Sequence, residues 1–259
     1  MRILISFFGV LFGQFLYAQD STLLKYERRS DTLVAKLKLQ EISDEEKKEL
    51  KVIAYGIQNY GQYLEDSKGD YVASLIYTNK AIDLFIYLDD TLSQANNRKF
   101  KGYLLGMQKD YVAAKNETLL AIKLYNSKNN FPGIAVSEFD LSRVYDQERK
   151  FDTAIYFCNK SLDFWKIKSN TWRILNVQTM LIYLLTRSHQ YEKAISNQKE
   201  CEKFINDKEI NPRDQSDFYF VLVQLYKSMG KPDLEKSYQL KLTEAKSKAE
   251  TFTSYYKAL

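Results

Sequence analysis

Apolar positions along this chain recur in a pattern with a 40-residue period. Four stretches carry it: GDYVASLIYTNKAIDLF (69–85), KDYVAAKNETLLAIKLY (109–125), RKFDTAIYFCNKSLDFW (149–165) and HQYEKAISNQKECEKFI (189–205). An aromatic marks each start, at Tyr71, Tyr111, Phe151 and Tyr191. Small residues follow at Ser74, Ala114, Ala154 and Ala194, and again at Ala81, Ala121, Ser161 and Cys201. Within a stretch the apolar residues lie three and four apart, the spacing that lines one face of a helix. Between the stretches a second series, Pro132, Trp172 and Pro212, marks another helix. Pro132 suits a first helical turn, where its missing N–H costs nothing. Apolar residues then recur at Ile134, Leu141, Val144 and Tyr145, before the polar turn DQERK leads into Phe151. Asp70 and Asp110 precede the aromatic in two copies and are placed to cap the helix that follows.

Each period therefore predicts two helices, and a fixed period of this length predicts a stack of such pairs. The expected fold is all-α: a right-handed solenoid of antiparallel helix pairs, about five repeats plus an N-terminal capping helix. The expected organisation is a leader over 1–18, a capping helix in 19–44, an array over 45–251 and a tail over 252–259. Units within the array are expected at about 45–90, 91–130, 131–170, 171–210 and 211–251. Leu23, Leu24, Leu33, Val34 and Leu37 supply the apolar face of the capping helix, and SDEE at 43–46 reads as a capping box for the next helix. The small residues are the points where helices approach closely. The neighbouring pair buries each apolar face, which is why the segment must recur.

This pattern resembles the tetratricopeptide repeat (TPR). Gly61, Gly102, Ser142 and Val223 match the family's small position on the first helix. Leu64, Leu105, Tyr145, Leu185 and Tyr226 match the bulky position after it. The period is longer than the family's usual ~34 residues, as in the 40-residue variant of some bacterial regulators. The resemblance covers roughly residues 45–245. The fifth unit is degenerate, with Glu235 where a small residue belongs, as expected of a terminal unit whose outer face meets water. In TPR proteins the first helices form a concave groove that holds an extended or helical peptide. Carried over residue by residue, that groove comprises Asn96, Lys99, Tyr103 and Met107 in the second unit, and Phe139, Arg143 and Asp146 in the third. The fourth unit contributes Asn176, Thr179, Tyr183 and Arg187, and the fifth Phe220 and Gln224. The mix of Tyr, Phe and Arg matches the types enriched at binding hot spots, although ordinary exposure explains any single one of them. The Lys/Asn clamp that some TPR proteins use for a C-terminal carboxylate is not matched. The resemblance thus implies a protein or peptide partner at the concave face and no catalytic role.

Composition narrows the reading. Nine Gly and three Pro in 259 residues leave too few turns for an all-β chain. Arg2, an apolar run from Ile3 to Tyr17 and Ala18-Gln19-Asp20 have the layout of a secretory signal peptide, with cleavage near Ala18 or Gln19. The rival is an uncleaved anchor, but the run is shorter than the ~20 residues that span a bilayer. Export to the periplasm, or beyond the cell, and no stable membrane insertion after cleavage are the expectations. Net charge is only +5, with signs interspersed, which with export argues against a nucleic-acid partner.

Catalytic chemistry is not encoded in any familiar pattern: neither HExxH, GxSxG, Walker nor GxGxxG occurs. The single histidine, His189, falls in a turn. Cys158 and Cys201 either form one disulfide or are two small core residues on adjacent helices, and their differing places in the repeat favour the second. Zinc spacing is absent, and no catalytic residue, cofactor or metal is expected. The expected function is an exported, non-catalytic TPR scaffold or adaptor, with envelope signalling as its setting. The alternatives are a component of outer-membrane or surface-structure assembly and, from another class, a small-ligand sensor, which would need a buried cluster of convergent polar groups.

Overall fold

The computed structural model describes residues 21–207 and 210–258. The leader expected over 1–18 lies outside the described residues. Among those described there are eleven helices and no strand. A first compact unit, Met1–Asp110, holds α1 (Ser21–Lys38), α2 (Asp44–Lys68), α3 (Tyr71–Tyr87) and α4 (Thr91–Met107). A second, Tyr111–Leu259, holds α5 (Tyr111–Ser127), α6 (Phe131–Gln147), α7 (Phe151–Ile167), α8 (Thr171–Arg187), α9 (Tyr191–Cys201), α10 (Pro212–Ser228) and α11 (Pro232–Ala258). The boundary divides the repeat expected over 91–130. Within each unit, consecutive helices joined by short turns pack on one another, so the fold class is that of TPR-like all-α helix pairs.

The turns explain the period. From α3 to α8 every helix has 17 residues and every turn three, so two helices and two turns make 40. Asp89, Lys109, Asn129, Arg149, Ser169 and His189 occupy the same turn position, all left-handed with φ between 50° and 65°. Gly69 opens the series at φ 63°. The next residue's N–H turns back to the helix just ended, as in Asn130 N to Tyr125 O (2.9 Å) and Gln190 N to Leu185 O (2.8 Å). That same residue can then cap the helix to come. Asp70, Asp90, Asn130 and Asn170 each accept from the backbone N–H three residues on. The capping box before α2 forms, with Ser43 and Glu46 bonding reciprocally.

Packing follows the small residues. Ser74, Ala114, Ala154 and Ala194 have no exposed surface. Gly61 on α2 shows why: a Cβ there would stand 3.4 Å from the Ser74 carbonyl, and Ser74 Oγ donates to the Gly61 carbonyl at 2.7 Å. At the end of the repeated segment a bulky group plugs the pair, in the buried series Phe85, Tyr125, Trp165 and Ile205. Leu33 of α1 is fully buried against the first pair, whereas Leu24, expected on the same face, is largely exposed.

The fourth repeat departs from the period. The fourth copy of the segment is read from the sequence as running through Ile205, but α9 ends at Cys201 after 11 residues. Beyond it the bonds tighten to three-residue spacing, at Lys203 N to Glu200 O and Phe204 N to Cys201 O. Gln215 Nε2 caps the Ile205 carbonyl at 2.9 Å, so Ile205 stays in the core although the helix has gone. Ten residues, 202–211, separate α9 from α10, where the earlier turns have three, and α10 starts at Pro212. Cys158 and Cys201 are free and buried on α7 and α9, with α8 between them in sequence. Burial pushes both thiols well above the ordinary cysteine range. Among the described residues no helix is long and apolar enough to cross a membrane.

Candidate functional site

In the first compact unit, Met1–Asp110, the expected groove residues lie on α4. Asn96 and Met107 are exposed, and Lys99 and Tyr103 half-buried. This helix is tied to α2 by a ladder of side-chain bonds between positions about one repeat apart. Lys51 Nζ pairs with Asp90 at 3.0 Å, Tyr55 OH meets Ser93 Oγ at 3.0 Å, Asn97 Nδ2 donates to Gln58 at 2.8 Å and Tyr103 OH to Glu65 at 2.8 Å. Tyr103 also stacks on Phe100, with ring centres 6.0 Å apart. Its hydroxyl is therefore engaged, and its ring is what a ligand would meet. Burial raises the Glu65 carboxyl above its ordinary range, partly offset by the bond from Tyr103.

In the second compact unit, Tyr111–Leu259, the expected residues lie on α6, α8 and α10. Phe139 and Arg143, then Asn176, Thr179, Tyr183 and Arg187, then Phe220 and Gln224, fall on the unburied stripes of these helices at three- and four-residue spacing. Asp146 does not share that openness. It is buried, and its Oδ1 accepts from Arg187 Nη1 at 2.5 Å. Desolvation raises the Asp146 carboxyl above its ordinary range even so, with Arg187 pulling the other way. Arg187 bonds Tyr183 OH at 3.3 Å and lies 4.9 Å over the Phe151 ring, so Asp146, Phe151, Tyr183 and Arg187 form one braced group. At the other end of α8, Trp172 Nε1 donates to Asp214 of α10 at 2.8 Å. Burial raises Asp214 as well, opposed by Trp172, Arg213 and Asn211.

Between these braces the face is chemically open. The side chains of Asn176, Thr179 and Gln224 make no hydrogen bond to any described residue. Phe220 on α10 exposes 48% of its surface beside them in the same register. Two residues on this face escaped the expectation, Trp172 and Arg173. Their signal was legible, because Arg173 lies three residues before Asn176 and seven before Met180, on one helical stripe.

A convergent buried polar cluster, which the sequence does not announce, sits where α9, α10 and α11 meet. Gln198 donates from Nε2 to Tyr238 OH (2.7 Å) and accepts from Tyr226 OH at Oε1 (2.7 Å), while Tyr238 OH donates to Glu202 (2.7 Å). Tyr226 and Tyr238 stack nearly parallel, their centres 5.3 Å apart. Gln178 reaches Glu200 at 2.8 Å and accepts from Cys201 at 3.4 Å. These groups satisfy one another. Gln198 occupies the column of Thr78, Thr118 and Cys158, and its length and polarity there were the available signal. His189 is exposed in its turn, its Nδ1 2.8 Å from Tyr191 OH. Among the described residues no group of His, Cys, Asp and Glu is arranged to hold a metal ion.

No family model matches the chain, and no curated protein matches it by sequence. Solved structures match it in fold. BtubC (BKLC) from P. vanneervenii superposes with a TM-score of 0.66 over 88% of this chain and 92% of its own, at 15% identity. Aspartyl phosphate phosphatase F from Bacillus subtilis gives 0.67 over 76% of this chain and 51% of its own, at 17% identity. A Signal Transduction ATPase with Numerous Domains from Pyrococcus horikoshii, which has a tetratricopeptide repeat sensor, gives 0.59 over 93% of this chain and 39% of its own, at 15% identity. With its period, its paired helices and these likenesses, the chain has the tetratricopeptide-repeat fold.

Proposed function

We propose that this chain is an exported, non-catalytic scaffold that binds a protein or peptide on the face presented by the first helices of its pairs. The observation that carries the reading is the set Asn176, Thr179, Phe220 and Gln224: amide and hydroxyl groups without internal partners beside an exposed aromatic, flanked by braced residues. Uncommitted amides suit the backbone of an extended segment, and an aromatic suits one of its side chains. Rigid neighbours lower the ordering cost of binding. The leader-like residues 1–18 support placement in the periplasm or outside the cell. Envelope signalling through a separate partner is the role we assign to this scaffold. A small-ligand sensor is less well supported, because the buried cluster around Gln198 has its hydrogen bonds filled from within.

The test is affinity capture from an envelope extract, with residues 19–259 as bait beside the triple variant Asn176→Ala, Phe220→Ala, Gln224→Ala. A partner held by the first bait and lost from the second supports the reading. Identical partners on both baits, or none on either, contradict it.

A further inference from the structure

Arg173 is set up for a ligand in a way its neighbours are not. Its guanidinium carbon lies 4.3 Å over the Trp172 ring and 5.4 Å from that of Trp165. Two indoles therefore lie within cation–π range of the fork. None of its side-chain N–H groups has an acceptor among the described residues. Asp140 on α6 acts on it through space without a hydrogen bond, and the Asp214 carboxylate is occupied by Trp172 and Asn211. Asp217 is opposed by Arg213, on its own helix. Burial lowers the guanidinium's pKa, so the charge is partly desolvated without a counter-ion in contact. Asn176, on the same stripe, adds a free amide.

We infer that Arg173, backed by Trp165 and Trp172 and assisted by Asn176, receives an acidic side chain of the bound protein segment. The planar guanidinium fork presents two parallel N–H groups, the geometry a carboxylate takes bidentately. The stacking has already restricted the arginine's rotamers, so little further ordering is needed. The inference rests on the reading of this face as peptide-binding and adds the partner's chemistry: an Asp or Glu, seated at the α8 N-terminal end.

A random-peptide display library panned on residues 19–259 tests it, with Arg173→Gln and Arg173→Lys as parallel targets. Enriched peptides should share an Asp or Glu at one position. They should bind the Gln variant about tenfold or more weakly, since a hydrogen-bonded charge contact is lost, and the Lys variant with intermediate affinity, because the charge stays and the fork goes. Trp165 and Trp172 are the chain's two tryptophans, so binding should also change the intrinsic fluorescence. Enriched peptides without a shared acid, or ones binding the Gln and Lys variants as tightly as the wild type, overturn the inference and leave the peptide-binding reading standing. If nothing enriches on any target, that reading fails and the inference with it. Should the Gln variant fail to fold, the Lys variant decides.

Discussion

A Cβ placed on Gly133 would stand 2.6 Å from the ring of Tyr125. The ring is fully buried at the end of α5 and cannot step aside, so α6 must present a bare backbone there. Gly133→Ala should destabilise the chain by about 1–3 kcal/mol through overpacking. Adding Tyr125→Leu should lessen the cost of the alanine, making the pair non-additive. Denaturant unfolding of the two single variants and the double variant checks this; strict additivity would mean the ring is not what excludes the methyl.

The left-handed turn residues make a second prediction. Lys109 and Arg149 hold φ of 65° and 58°, a conformation that costs a non-glycine residue on the order of 1–2 kcal/mol. Glycine relieves it at a smaller entropic cost, so Lys109→Gly and Arg149→Gly should each stabilise by about 0.5–1 kcal/mol. Gly69→Ala should move stability the other way by a similar amount. Melting temperatures that fall on both Gly substitutions would contradict the turn assignment.

Overpacking of the repeat's small positions is the third. Ala114 and Ala154 are fully buried, so Ala→Leu at either should cost about 1–3 kcal/mol. Unchanged unfolding curves for both would refute the packing scheme.

Much of the architecture was legible because it is periodic. The aromatic starts, the small residues and the Asp70 cap gave the helices, and one turn geometry repeated every 20 residues made the period regular. The short α9 was not legible. Its sequence continues the pattern through Ile205, but after Cys201 the bonds tighten to three-residue spacing, and the Ile205 carbonyl takes its bond from Gln215, ten residues on. The open stripe on α6, α8 and α10 followed from helical spacing. The burial of Asp146 did not, because it depends on Arg187 reaching back from the next repeat. Arg173 was overlooked because its meaning comes from two indoles, one of them on another helix.

Asp146 supplies a prediction in pH. Its folded carboxyl sits above the ordinary range because burial outweighs Arg187, so the folded chain holds that proton more tightly than the unfolded chain. Where the folded form binds more protons, stability falls as pH rises. From about pH 4, the ordinary Asp value, upward through the raised range, the wild type should lose stability relative to Asp146→Asn. Chemical unfolding of both proteins at several pH values measures this; a wild-type advantage that grows with pH across that range would show that the ion pair dominates instead.

The central claim, that the first-helix face takes up a protein partner, is tested most directly by site-specific photocrosslinking. A benzophenone side chain would replace Phe220 on α10 or, separately, Tyr156, which exposes 58% of its surface on the second helix α7. With the chain produced in cells and the cells irradiated, a discrete crosslinked species should form from position 220 and not from position 156. Crosslinking from 156 alone would place the partner on the opposite helices and contradict the account.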